Sequence, residues 1–421
     1  MIHPYAVQVK GNTRIEWSDY GHTFSYSDPR YRQPFQISLS TFVITVQQLV
    51  ANARDLYKSF LPQGYEPPSV DISILRDNGL LGQSVFGQES NRGIFTPFVE
   101  SLYNAVLCDT QRTRQEFHSQ EQKLLQAILV SVSMTIGVPP RAFQLAGMLY
   151  KADEDDCYKR NLYIRKGIVL LGWARSKSFQ SIYQASLWAL PADLGELILY
   201  YLGVIRPTSI KLLQRNNVGI HKDLYTSIFV FSKSLKSKRS TWSTTHVNSI
   251  LKAATGQKIN LELSLPRLRQ LMTAIYRKHF PAFIQATPFK TLIAYGGGHP
   301  TLANGFHNFF GTRINISDES VSRYIEVSQV LQGALRMLPN RCGIFANIKG
   351  QSERQIRNNQ AFALDQARWM ITRSFTRFDA ANVGDEALDL VDRSFIALPP
   401  EPVRSNYIDS WTRSHDSKAR R

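Results

Sequence analysis

Apolar positions recur at helical spacing through several long stretches of the chain and alternate in one shorter region. Over 38–61, SLSTFVITVQQLVANARDLYKSFL returns an apolar side chain to one face every three or four residues, which predicts a helix. Pro62, Gly64, Pro67 and Pro68 end it. Further helices are predicted over 96–107 and 119–135, the latter with the stripe Leu124, Leu125, Ile128, Leu129 and Val132. Turn signals stand at Asp77-Asn78-Gly79 and Asn91-Arg92-Gly93. Gly137-Val138-Pro139-Pro140 breaks the third helix, and a new one is predicted from Arg141 to Tyr150. After an acidic turn at 153–156, NLYIRKGIVLLGWARSKSF and SIYQASLWALP are rich in β-branched and aromatic residues and alternate. They predict a small antiparallel sheet over 161–190.

Helix resumes over 192–202, 244–254 and 265–280, with a turn at Gly256-Gln257-Lys258 between the last two. Tyr295-Gly296-Gly297-Gly298 reads as a loop, 318–338 as an amphipathic helix, 353–376 as a final helix and 399–421 as a tail. Residues 1–35 are rich in Tyr, Ser, Pro and Arg without clean periodicity and read as an arm. The expected fold class is mainly α with a small antiparallel β-sheet. The expected organisation is an N-terminal arm and helical domain over 1–114, a larger domain over 115–340, and a C-terminal helix with a basic tail over 341–421.

Composition adds a location and a partner. The chain has 421 residues, 43% hydrophobic, which is enough apolar material for a sizeable core. Three cysteines, Cys108, Cys157 and Cys342, are too few and too scattered for a disulfide scaffold or a zinc cluster, and a reducing compartment is expected. No apolar run reaches the roughly 18 residues that span a bilayer, and the N-terminus carries no apolar segment of the secretory kind. The net charge is +17, of which residues 201–300 supply +13 from 15 Lys+Arg against 2 Asp+Glu. Such a block attracts phosphate backbones by counterion release. Its densest part, FSKSLKSKRSTW, holds Lys233, Lys236, Lys238 and Arg239. A solvated loop or a nuclear import signal would carry the same short run.

Four basic residues stand out by context. Arg141 opens a helix after the Pro-Pro break, Lys177 lies at the turn or second strand of the expected sheet, Arg269 is near the start of the 265–280 helix, and His299 follows three glycines. Singly, each has a plainer reading as a solvated helix start, an edge guard or a turn residue.

In this order they resemble the tyrosine recombinase catalytic domain. GVPPRAFQLAGM resembles its first arginine box, RNLYIRKGIVLLGWARSKSF its lysine hairpin, LPRLRQLMTAIYRKHF its second arginine box, and GGGHPTLANGFHNFFG its Gly-His turn and the approach to the nucleophilic tyrosine. The closer resemblance is to the degenerate recombinase-like region of fungal telomere-linked RecQ-type helicases and Crypton-type elements. It is carried by LPADLGELILYYL at 190–202, TWSTTHVNSILKAATGQ at 241–257, and upstream PPSVDISILRDN and ESNRGI. The likeness covers about residues 35–338.

The resemblance implies a catalytic-type domain over 115–340 and an N-terminal domain that clamps the other face of duplex DNA. It implies that Arg141, Arg269 and His299 donate to the nonbridging oxygens of a phosphate. Lys177 would protonate the departing 5′ oxygen, and a tyrosine would attack phosphorus. Arg267, Arg277 and Lys278 are added to the four cations of the dense run as DNA contacts. Nuclear location, work in recombination or integration, and origin in a transposable or subtelomeric element follow from the same likeness. A homo-oligomer on the DNA is compatible with it, and neither a cofactor nor a metal is expected.

Three positions depart from the family pattern. Gln144 stands where an acid braces the site, and Pro266 where many members have a histidine. Phe309 and Phe310 occupy the tyrosine position, and a phenyl ring has no hydroxyl to attack phosphorus. The expectation is a DNA-binding relative that has lost strand cleavage. Two alternatives stay open: a live recombinase or integrase using a displaced Tyr324, and a basic structural protein that binds acidic partners other than DNA.

Overall fold

The computed structural model describes residues 7–8, 14–18, 23–27, 34–67, 71–77, 84–109, 114–151, 160–165, 167–177, 182–216, 218–231, 241–279 and parts of 324–335. All lie within one unit, Met1–Ala380. The chain opens with an antiparallel sheet of four strands in sequence order, β1 (Val7–Gln8), β2 (Arg14–Ser18), β3 (Thr23–Ser27) and β4 (Phe35–Ser38). Trp17 pairs with Phe24 across β2 and β3, and Phe24 with Ile37 across β3 and β4. These residues, with Ile15 and Tyr26, are buried. The arm expected over 1–35 is therefore corrected, and the N-terminal region is not purely helical. Each strand carries only one or two apolar positions, too short a run for alternation to stand out.

Helix α1 (Leu39–Phe60) starts where Ser38 Oγ accepts the Thr41 N–H at 3.0 Å, an N-cap at the end of β4. Its face of Phe42, Val46, Leu49, Val50, Ala53, Tyr57 and Phe60 is buried, and it lies along α3 (Arg114–Thr135). Helix α3 is central: every residue from Ala127 to Pro140 is buried. Ser133 and Thr135 donate back to the carbonyls of Leu129 and Ser131, both at 2.8 Å, so polar side chains sit in this core with their hydroxyls bonded.

The second sheet matches expectation. Strands β5 (Leu162–Arg165), β6 (Ile168–Lys177) and β7 (Ile182–Ala189) are antiparallel in sequence order. Helix α5 (Ala192–Tyr200) packs on β6, where Gly195 sits so close that a Cβ would meet Val169 Cγ2 at 3.0 Å. A π-helical turn, Tyr201–Ile205, leads directly into α6 (Arg206–Arg215), which starts around Pro207. Gly203 on this turn faces Phe95 and Phe86 at van der Waals limits. Phe95 belongs to α2 (Glu89–Cys108). The chain then reaches α7 (Thr244–Ile259) and α8 (Leu265–His279).

Several local expectations shift. Asn91-Arg92-Gly93 lies inside α2 rather than in a turn, because Asn91 is a buried cross-link. Its side chain donates to Arg76 O at 2.6 Å and Val85 O at 2.8 Å, and accepts from Arg76 N at 3.0 Å. The helix from Arg141 is only α4 (Ala142–Ala146). Beyond Gly147 its backbone is claimed by tertiary partners: Asn161 Oδ1 accepts from Leu149 N, and Met148 O accepts from Ile228 N. Gly256-Gln257-Lys258 is the last turn of α7, which stops at left-handed Asn260. Helical residues at 324–325, 327–329 and 331–333, most of them buried, fall within the helix expected over 318–338. The helix expected over 353–376 and the tail lie outside the described residues.

Candidate nucleic-acid interface

The break at 136–140 is the joint that brings the candidate residues together. Every residue of it is buried, and three of its carbonyls are taken by three different elements. Ile136 O accepts from Ser328 Oγ at 3.5 Å, Val138 O from Trp188 Nε1 of β7 at 2.9 Å, and Pro139 O from Arg269 Nη1 of α8 at 2.5 Å. Gly137 adopts φ +93°, a left-handed conformation that a side chain resists, and a Cβ there would meet Tyr276 Oη of α8 at 3.0 Å. The Pro-Pro pair removes two backbone donors from a buried segment that has none to spare acceptors for. Sheet, α3 and α8 are thereby locked to one short loop.

Arg141 follows that loop directly, exposed, at the N-cap of α4. Arg269 reaches the same place from 130 positions along the chain, counted from Pro139. Burial first, and the like charge of Arg141 second, bring the Arg269 pKa down to about 10. Two guanidinium groups held within electrostatic reach of each other, one of them largely buried, repel. An anion bound between them would remove that repulsion, and a phosphate offers two nonbridging oxygens to two forked donors. Gln144 has a local job: its Oε1 accepts from Arg141 N at 2.8 Å and closes the first turn of α4. Pro266 sits in the first turn of α8, where its missing N–H costs nothing.

Lys177 is the last residue of β6, opposite Ile182 of β7, at the far end of the hairpin from the break. Tyr324 is only 3% exposed and packs on the sheet with Leu170, Leu187, Ala189 and Ile325, so its packing role is the one observed. On α8, Arg277 is exposed, while Arg267 and Lys278 are half-buried. His299, Phe309, Phe310, Lys233, Lys236, Lys238 and Arg239 lie outside the described residues. Among the described residues no group of three or more His, Cys, Asp or Glu could hold a metal ion, and no helix is long and apolar enough to cross a membrane.

Sequence reasoning missed a second charged cluster. Arg206, counted above with the basic block, is fully buried. Its Nη1 donates to Ser227 O and its Nη2 to Ile228 O, both at 2.9 Å, and Tyr201 Oη accepts from Nε at 3.2 Å and Nη2 at 2.9 Å. Tyr201 Oη donates in turn to Glu121 Oε1 at 3.1 Å, and Ser209 Oγ to Glu121 Oε2 at 2.6 Å, with His118 Nδ1 3.0 Å from Ser209 Oγ. The signal was present: Glu121 precedes Leu124 and Leu125 on the apolar stripe of α3, and a carboxylate there demands a counter-ion. A third buried pair, Arg160 with Asp77 at 2.8 Å, ties the 71–77 segment to β5, where Ile164 N donates to the other Asp77 oxygen at 2.8 Å. The turn signal at Asp77 thus marks a structural hub as well.

No family model, no curated protein and no solved structure matches this chain.

Proposed function

We propose that this chain is a nuclear DNA-binding protein with a tyrosine recombinase-like catalytic-type domain that has lost strand cleavage, of mobile-element or subtelomeric origin. The observation that carries the reading is the meeting of Arg141 and Arg269 at the buried break, where burial first and the like charge of Arg141 second lower the proton affinity of Arg269. Such an arrangement suits a bound phosphate, which would be cradled by the two guanidinium groups. The three-stranded sheet supports it too, since β6 ends on Lys177 beside the β7 return. The burial of Tyr324 against Leu170 and Leu187 argues against cleavage, because its hydroxyl would have to leave the core to reach phosphorus. With Phe309 and Phe310 at the family's tyrosine position, no ready nucleophile follows the Gly-His turn.

The test has two arms. Purified protein should bind labelled duplex DNA with an affinity that falls steeply with salt, as phosphate contacts require. Incubation with a nicked suicide duplex, followed by denaturing electrophoresis, should leave no covalent adduct. An adduct abolished by Tyr324→Phe would establish the live-enzyme alternative. Absence of DNA binding together with binding to acidic proteins would establish the interaction-protein alternative.

A further inference from the structure

Two residues along from Arg141, Phe143 is 40% exposed, unusual for a large apolar side chain in this fold. Its ring stands edge-on to that of Trp173, with centroids 6.3 Å apart and planes at 87°. Trp173 lies on β6, four residues before Lys177. Its indole Nε1 is buried without a hydrogen-bond acceptor, whereas Trp188 on the neighbouring strand donates to Val138 O. Gly147 permits the approach: a Cβ there would touch Trp173 Cη2 at 3.5 Å and Phe143 O at 3.1 Å. An exposed aromatic ring, braced by a second one, thus stands on the same short element as half of the arginine pair.

Cations beside an aromatic face are the combination that holds a nucleotide, with the phosphate on the cations and the base stacked on the ring. In uninterrupted duplex the faces of the bases are stacked on one another. Only a base at an end, gap or bulge has a face to offer. We infer that Phe143, propped by Trp173, is a stacking platform for an unpaired nucleobase, and that this face prefers DNA carrying unpaired bases over continuous duplex. The inference rests on the DNA-binding reading proposed above, with Arg141 and Arg269 holding the adjacent phosphate.

The experiment compares, by fluorescence anisotropy, the full chain binding to a labelled blunt duplex and to the same duplex with a short thymidine overhang. Wild type should prefer the overhang by roughly tenfold, the size of one modest stacking contact. Phe143→Leu should abolish the preference while leaving blunt-duplex affinity unchanged, and Phe143→Tyr should retain it. Arg269→Met should weaken both ligands by a similar factor. Thermal melts of each variant check the fold, which an exposed side chain on a five-residue helix should not disturb. Equal wild-type affinity for the two ligands, or a preference that survives Phe143→Leu, overturns the platform and leaves the DNA-binding reading intact. Failure to bind either ligand overturns the underlying reading instead.

Discussion

Arg206 and Arg269 are both withdrawn from solvent, and their surroundings differ in kind. Around Arg206 the fold supplies a phenol, three carbonyls and, 3.9 Å from Nε, the carboxylate of Glu121. Around Arg269 the Pro139 carbonyl stands at 2.5 Å, and the positive charge of Arg141 lies within electrostatic reach. The first arrangement is closed, since the interactions that a buried guanidinium requires are made within the protein. The second places like charges where burial strengthens their repulsion. Arg206 therefore serves the fold. Arg269 bonds the Pro139 carbonyl and stands beside a like charge. Net charge alone does not make that distinction, because both residues belong to the same +13 block.

The contrast breaks most visibly at Arg206. Arg206→Ala leaves Glu121 buried with one counter-ion fewer and should cost about 3–5 kcal/mol in denaturant unfolding. Replacing Arg206 by Met and Glu121 by Leu together should recover much of that loss, which a double-mutant cycle would measure. A loss under about 1 kcal/mol for Arg206→Ala would place the network outside the stabilising core. The π turn beside it gives the next largest effect. Gly203→Ala would drive a Cβ to 2.6 Å from Phe95 Cδ1 and should destabilise by about 1–3 kcal/mol, without changing DNA affinity.

At the other arginine the effects move from stability to binding. Arg269→Met should cost less in unfolding than Arg206→Ala, because Arg269 is not fully buried and Arg206 is. It should weaken duplex binding roughly tenfold or more, as loss of a charge-assisted phosphate contact does. Salt titrations by anisotropy would read both the affinity and its slope. The smallest effect is a pH dependence. Burial, and then the like charge of Arg141, depress the folded Arg269 pKa, so its proton is held at a cost at neutral pH, and that cost is relieved as pH rises above about 10. Arg141→Ala removes part of the cost in advance. Its stability relative to wild type should therefore be higher at pH 8 than at pH 10.5, with the gap closing as Arg269 loses its proton. A gap that stays constant between these pH values would mean that the two side chains do not interact.

Helical spacing located α1, α3, α7 and α8 within a few residues, because each buries one continuous stripe that recurs every three or four positions. The hairpin of β6 and β7 was equally legible from its β-branched and aromatic run. The N-terminal sheet was not: β2 and β3 bury two side chains each and β4 one, and it is their pairing that makes a surface for α1. The truncation of α4 was likewise undecided in the chain, since its backbone beyond Gly147 bonds to residues near 161 and 228. Sequence order alone nominated Arg141 and Arg269. Only the folded structure set them beside one loop, through the carbonyl of Pro139, while sending Arg206 to Glu121 and Tyr201 in the core. Local spacing encodes which face of an element is apolar; which charge meets a partner and which meets its like depends on contacts spanning 85 to 130 positions of chain.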